Sequence, residues 1–150
     1  MNHELLAGFE RALDQPQLVL SQAEQALQDP SNKAQFYAAC LLKGETLLRL
    51  KRPREALLAL APALGIQEHM GQEFSGLSLA LLAEAQAAWG KKAKAIQTAH
   101  KALTRSNDAY SKSRASYALW LASGETQWLE AARHEATDYP PWLAYLSGCD

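Results

Sequence analysis

Four histidines, two cysteines and two clusters of cations are the side chains of this 150-residue chain with the most obvious chemical potential. His3-Glu4 and His134-Glu135 each set a carboxylate beside an imidazole, but neither is followed by the second histidine that a helical zinc protease needs. His69 is expected in a loop and His100 on the exposed face of a helix. Cys40 and Cys149 are too far apart in sequence to match a metal-binding or dithiol redox spacing. No glycine-rich loop cradles a phosphate, and no nucleophile stands in an arrangement with a base. The residues therefore point to a chain that is not an enzyme and that calls for no metal and no cofactor. The cations are grouped as Arg49, Lys51, Arg52, Arg54 and as Lys91, Lys92, Lys94. Such clusters could meet phosphates or an acidic partner. Residues 31–60 hold six basic and two acidic side chains, and residues 91–120 hold seven and one. Aromatic residues do not interleave with the clusters, which leaves base stacking unsupported and disfavours nucleic acid.

Both clusters occupy the same place in a stretch of sequence written twice, 39 residues apart. Glu45, Ala56, Leu57, Ala63 and Leu64 in the first copy correspond to Glu84, Ala95, Ile96, Ala102 and Leu103 in the second. A period of about 20–50 residues is the signature of stacked supersecondary units. Ala, Leu, Gln, Glu and Lys dominate while Val, Ile and Thr are sparse, so intrinsic propensity favours helix. Apolar residues recur at intervals of three and four, as in Leu47, Leu50, Leu57, Leu60 and Leu64. The pattern predicts eight helices in four hairpins, spanning 2–13 with 16–28, 32–50 with 53–64, 71–89 with 91–105, and 109–122 with 125–137. Pro16, Pro53, Gly90 and Gly124 mark the divisions within the hairpins, by the chemistry of helix starts and ends. Small residues at equivalent places, such as Gly44 and Ala83, allow close approach of helix axes.

The last third concentrates aromatic residues: Tyr117, Trp120, Trp128, Tyr139, Trp142 and Tyr145. Pro140-Pro141 cannot continue the preceding helix, and the tail is expected to lie as a short lid over the last hairpin. Trp89, beside Gly90, is expected to plug the core.

The totals fit one helical domain over residues 1–150. A hydrophobic content of 48% supplies a core, and a net charge of −1 with 21% charged residues argues against disorder and against a globally basic nucleic-acid binder. No stretch approaches the roughly 20 apolar residues of a membrane span. Met1-Asn2-His3-Glu4 shows no basic segment leading into an apolar run, so a cytoplasmic chain with reduced thiols is expected.

Gly44, Leu47, Ala56-Leu57 and Ala63-Leu64, with Ala83, Gly90, Ala95-Ile96 and Ala102-Leu103, resemble the tetratricopeptide repeat. Gln86 departs where that family has a large apolar residue, and the 39-residue spacing exceeds its usual 34. The extra residues fall around Gly65–Phe74. The first hairpin matches weakly, through Leu6-Ala7 and Ala26-Leu27, and the fourth keeps little beyond Gly124. The resemblance implies an all-α, right-handed superhelical stack of about four antiparallel hairpins that acts as a protein-binding scaffold. Lengthened repeats of this kind are similar to helical regulatory segments of transcription and signalling proteins, and chains of this length to secretion chaperones.

In that family the first helices of successive hairpins line a groove. Carried over, the groove residues are Ala38, Leu41, Leu42, Glu45, Leu48 and Arg49, then Leu77, Leu81 and Glu84. Leu, Ala and Glu stand where the family's carboxylate-gripping members carry cations, so a carboxylate clamp is excluded. An apolar groove with an acidic line from Glu45 and Glu84 suits an amphipathic or basic partner helix. The chain's own tail or self-association would cover the same surface. Stacking would also bring both basic turns to one edge, made of Lys51, Arg52, Arg54, Lys91, Lys92 and Lys94, which is the alternative binding surface.

Overall fold

The helix-forming composition is realised throughout the computed structural model, which describes residues 3–69 and 75–149 and the side chains of all of these except 66–69. Among the described residues the fold is all-α, with nine helices and no strand. They divide into two compact units, Met1–Phe74 and Ser75–Asp150, and each holds one copy of the 39-residue repeat.

The first unit contains α1 (His3–Asp14), α2 (Pro16–Ala26), α3 (Lys33–Arg49) and α4 (Pro53–His69). Pro16 and Pro53 open their helices, where a missing N–H costs nothing. Asn32 caps α3 by accepting a hydrogen bond from the Gln35 N–H at 3.1 Å. Helix α3 packs against α1, α2 and α4. A Cβ on Gly44 would lie 2.6 Å from Leu60 Cδ2, so any larger residue would force the Leu60 side chain of α4 to shift.

Helix α4 runs to His69, beyond the predicted end at Leu64, which places His69 in a helix and not in a loop. It passes through Pro62, which cannot donate to the carbonyl of Leu58. Pro62 is exposed and Leu58 is 71% exposed, so the freed carbonyl is on the side open to water. Gly65 is exposed, and a Cβ added there would meet nothing within 4 Å.

The second unit contains α5 (Gly76–Ala88), α6 (Lys92–Arg105), α7 (Ala109–Ser123), α8 (Thr126–Glu135) and α9 (Pro140–Ser147). The predicted start of the third hairpin at residue 71 and the insertion around 65–74 fall partly on residues 70–74, which lie outside the described residues. Within the described part, α5 begins at Gly76, with the Ser75 side chain accepting from the Ser78 N–H at 3.1 Å. Asp108 caps α7 in the same way, accepting from the Ser111 N–H at 2.8 Å.

Helix α7 is the centre of this unit, packed on α5, α6 and α8. Ala83, Ala99 and Ala118 are buried together with Leu119, and Ala87, Ala95 and Ala122 form a second cluster. The short side chains at these meeting points are what allows three helices to approach one another.

The tail forms α9, packed on the last hairpin as the aromatic pattern predicts. Trp142 is 1% exposed, donates from Nε1 to Ser113 Oγ at 2.8 Å, and stacks on Tyr145 with centroids 5.2 Å apart. Arg133 of α8 donates to the Leu146 carbonyl at 3.0 Å and the Cys149 carbonyl at 2.6 Å. A cation thus closes the C-terminal end of α9, where unsatisfied carbonyls and the helix dipole favour it.

The repeat recurs in backbone geometry as well as in sequence. At the end of α5 the Lys91 N–H reaches the Gln86 carbonyl at 2.9 Å and the Gly90 N–H the Ala87 carbonyl at 3.0 Å, with Gly90 at φ +87°. At the end of α3 the Arg52 N–H reaches Leu47 at 2.9 Å and the Lys51 N–H reaches Leu48 at 3.1 Å, with Lys51 at φ +63°. Both are Schellman closures, and Lys51 adopts in the first what a glycine adopts in the second.

Candidate functional site

The nine groove residues named from the sequence separate by burial. Leu41, Glu45, Leu48, Leu77, Leu81 and Glu84 are buried, and the Arg49 side chain keeps 4% of its surface. Buried carboxylates require partners, because desolvating an isolated charge costs several kcal/mol. Glu45 Oε2 lies 3.6 Å from Arg49 Nε, one turn along the same helix. Glu84 Oε1 accepts from Arg114 Nη2 at 2.9 Å, across from α5 to α7. The two carboxylates of the expected acidic line are therefore each held by an arginine of the chain itself.

Arg114 is the polar residue that the sequence did not single out. It is buried, donates from Nη1 to Tyr110 Oη at 2.9 Å, and lies 4.3 Å from the centroid of Trp142. This joins the repeat's carboxylate to the aromatic lid within the second unit. Its one sequence signal is a single arginine at a helix-facing position of α7 amid Ser, Ala and Tyr, and a solvent-facing arginine would read the same.

Ala38 and Leu42, the remaining two groove residues, are half-buried and line a cleft of about 250 Å³ in the first unit. Its apolar walls are Leu5 from α1, Ala23 and Ala26 from α2, and Ala38, Ala39 and Leu42 from α3. Polar side chains stand among them: Glu4 and Arg11 on α1, Gln22 on α2 and Gln35 on α3. The walls follow from the local sequence. Amphipathic α1 buries Gly8, Phe9 and Ala12, and Gly8 lies so close to Leu42 that an added Cβ would come within 3.0 Å of its Cδ1. That close packing leaves Leu5, one turn earlier, at the edge of the cleft. The α1 and α2 walls went unnamed from sequence because the first hairpin matches the repeat weakly.

The cleft has a mixed-charge rim and an apolar lining, and nothing in it resembles a catalytic constellation. Cofactor and drug-sized ligand sites run to about 300–1,000 Å³, so this space suits one or two side chains of a larger ligand. Among the described residues no group of three or more His, Cys, Asp or Glu side chains could hold a metal ion. His100 and His134 are exposed, and His100 meets Trp128 edge-on with centroids 5.7 Å apart.

The six cations of the expected basic edge are all exposed. Lys51, Arg52 and Arg54 belong to the first unit, Lys91, Lys92 and Lys94 to the second. Arg52 is chelated by Glu55, with Nε to Oε1 at 2.8 Å and Nη2 to Oε2 at 2.5 Å, and these bonds hold the Glu55 carboxyl below its ordinary range. Trp89 corrects its expected role: it is 46% exposed at the end of α5, with Lys91 Nζ 5.2 Å from its ring centroid, and does not plug the core. The Schellman closure turns the chain at Trp89, so this side chain leaves the helix just where its buried face ends.

No family model, curated protein or solved structure matches the chain.

Proposed function

We propose that the chain is a non-enzymatic protein-interaction module, a tetratricopeptide-like stack of antiparallel hairpins with a right-handed superhelical course. Its first unit takes an amphipathic helix or peptide of a partner protein, in the manner of a chaperone or regulatory scaffold. The observation that carries this reading is the cleft bounded by α1, α2 and α3, whose walls are apolar and whose rim holds Glu4, Arg11, Gln22 and Gln35. An apolar anchor of a partner helix fits such a lining, and a rim of both charges and two amides can orient the polar flanks. The burial of Leu41, Leu48, Leu77 and Leu81 moves the contact away from those side chains and onto Ala38, Leu42 and the α1 and α2 walls.

The test is a selection of displayed helical peptides on the full chain, followed by anisotropy titration of the selected peptide. Ala38→Arg puts a long charged side chain into the cleft and is expected to weaken the peptide by at least about tenfold, or roughly 1.4 kcal/mol. Far-ultraviolet circular dichroism should remain helical. Unchanged affinity in the helical variant would contradict the reading, and concentration-dependent dimerisation lost with Ala38→Arg would assign the cleft to self-association.

A further inference from the structure

Comparison of α4 with α6, second helices of the two repeat copies, shows an interior that is kept and an exterior that is changed. Ala56 and Ala95, and likewise Ala63 and Ala102, are buried at equivalent positions. Outward, Glu55 becomes Lys94, Pro62 becomes Lys101, and Leu50 at the preceding turn becomes Trp89. In α4 Leu58, Ala61 and Pro62 are exposed, and the exposed Glu55 is paired with Arg52 just before the helix.

In α6 the sequence Lys92–Arg105 contains four cations and no carboxylate. Lys94, Lys101 and Arg105 are spaced by seven and four residues, so they form one stripe along the helix, beside the face that buries Ala95, Ala99 and Ala102. At 1.5 Å per residue they are about 10 Å and 6 Å apart along the axis. Lys94 and Lys101 are exposed and Arg105 is half-buried. Among the described residues no carboxylate is paired with any of the three. Trp89 stands just before α6 with Lys91 Nζ 5.2 Å from its ring centroid, and His100 on α6 is in edge contact with half-buried Trp128.

We propose that the outward face of α6 is a docking surface for single-stranded nucleic acid, with phosphates on Lys91, Lys94, Lys101 and Arg105 and an unpaired base on the Trp89 indole. The cations supply charge complementarity to a polyanion. The exposed indole selects a strand whose bases are unstacked, because a duplex hides its base faces. Insertion into a lipid surface needs an apolar face on the same helix, and that face of α6 is buried in the unit. An acidic peptide would use the cations and leave the indole idle. The surface is separate from the cleft of the first unit, and its test is independent of peptide binding.

Anisotropy of a labelled oligouridylate of about twelve nucleotides, titrated with the full chain at low salt, measures the interaction directly. Four phosphate contacts predict a log–log salt dependence with slope of about −3. The double variant Lys94→Glu/Lys101→Glu is expected to bind at least about tenfold more weakly, while Arg54→Glu in the first unit stays within about twofold of the wild type. Bound oligonucleotide should quench tryptophan fluorescence, and Trp89→Leu should remove most of that quenching with helicity retained. If charge reversal perturbs folding, Lys94→Gln/Lys101→Gln serves in its place. Absence of binding at low salt, binding insensitive to the α6 variants, or a preference for polyglutamate or for anionic phosphatidylserine vesicles would each overturn the assignment.

Discussion

Glu84 and Arg114 show how a residue's chemistry depends on what surrounds it. Both side chains are buried, and they face each other at 2.9 Å between α5 and α7. Glu84→Ala would leave the guanidinium in the interior without this carboxylate, at a cost of about 3–5 kcal/mol. Urea denaturation should show this loss, and Glu84→Met/Arg114→Met should recover most of it, because an apolar pair carries no desolvation penalty. Cys40 offers a second check at this scale. Burial pushes its thiol above the 9.0 of a free cysteine, against a smaller opposing effect of Lys43. A raised pKa means the native state holds its proton longer than the unfolded chain, so the associated stability is present below about pH 9 and is lost as pH rises further. In the native protein a thiol reagent at neutral pH should therefore modify half-buried Cys149 first, and Cys40 after unfolding; equal rates would contradict the burial. The periodicity marked Glu84 as a repeated position, but its partner lies 30 residues onward, where sequence spacing gives no sign of contact.

Helices were legible because their starts and stops obey local rules. Pro16, Pro53, Asn32, Asp108, Gly90 and Gly124 act through backbone groups a few residues away, so reading them requires no tertiary knowledge. Helix α4 shows the limit of that reading. Pro62 and Gly65 are local breakers, yet both are exposed and the helix continues past them to His69. The direction of Trp89 was similarly beyond local rules, since a residue at a helix end can turn inward or outward with the same sequence. The paired Schellman closures make a quantitative comparison possible. Lys51 sits in the left-handed region that Gly90 occupies in the second copy, where a side chain costs roughly 1–2 kcal/mol. Lys51→Gly should raise stability by about 1 kcal/mol and Gly90→Lys should lower it by a similar amount, both measured by thermal or urea unfolding. A destabilising Lys51→Gly would mean that the lysine side chain contributes more than its backbone strain.

At the scale of the molecule, two compact units share a repeat yet present different chemistry. The first holds an apolar cleft among α1, α2 and α3, and the second turns a cationic helix outward. No described helix is long and apolar enough to cross a membrane. Ala38 and Leu42, which the repeat singles out, line this cleft, whereas its α1 and α2 walls lie in the hairpin where the repeat is faint and carried no sequence signal. Burial of Glu45 and Glu84 could not be read from their repetition, because a repeated carboxylate is as consistent with a ligand surface as with an internal ion pair. The proposed role of the first-unit cleft is to take a helix of a partner protein. Backbone amide chemical shifts of the full chain, recorded with and without a selected helical peptide, test it most directly. If the cleft holds the peptide, the largest shifts fall at Leu5, Ala23, Ala38 and Leu42; shifts confined to residues 75–149, with these four unmoved, would place the peptide elsewhere.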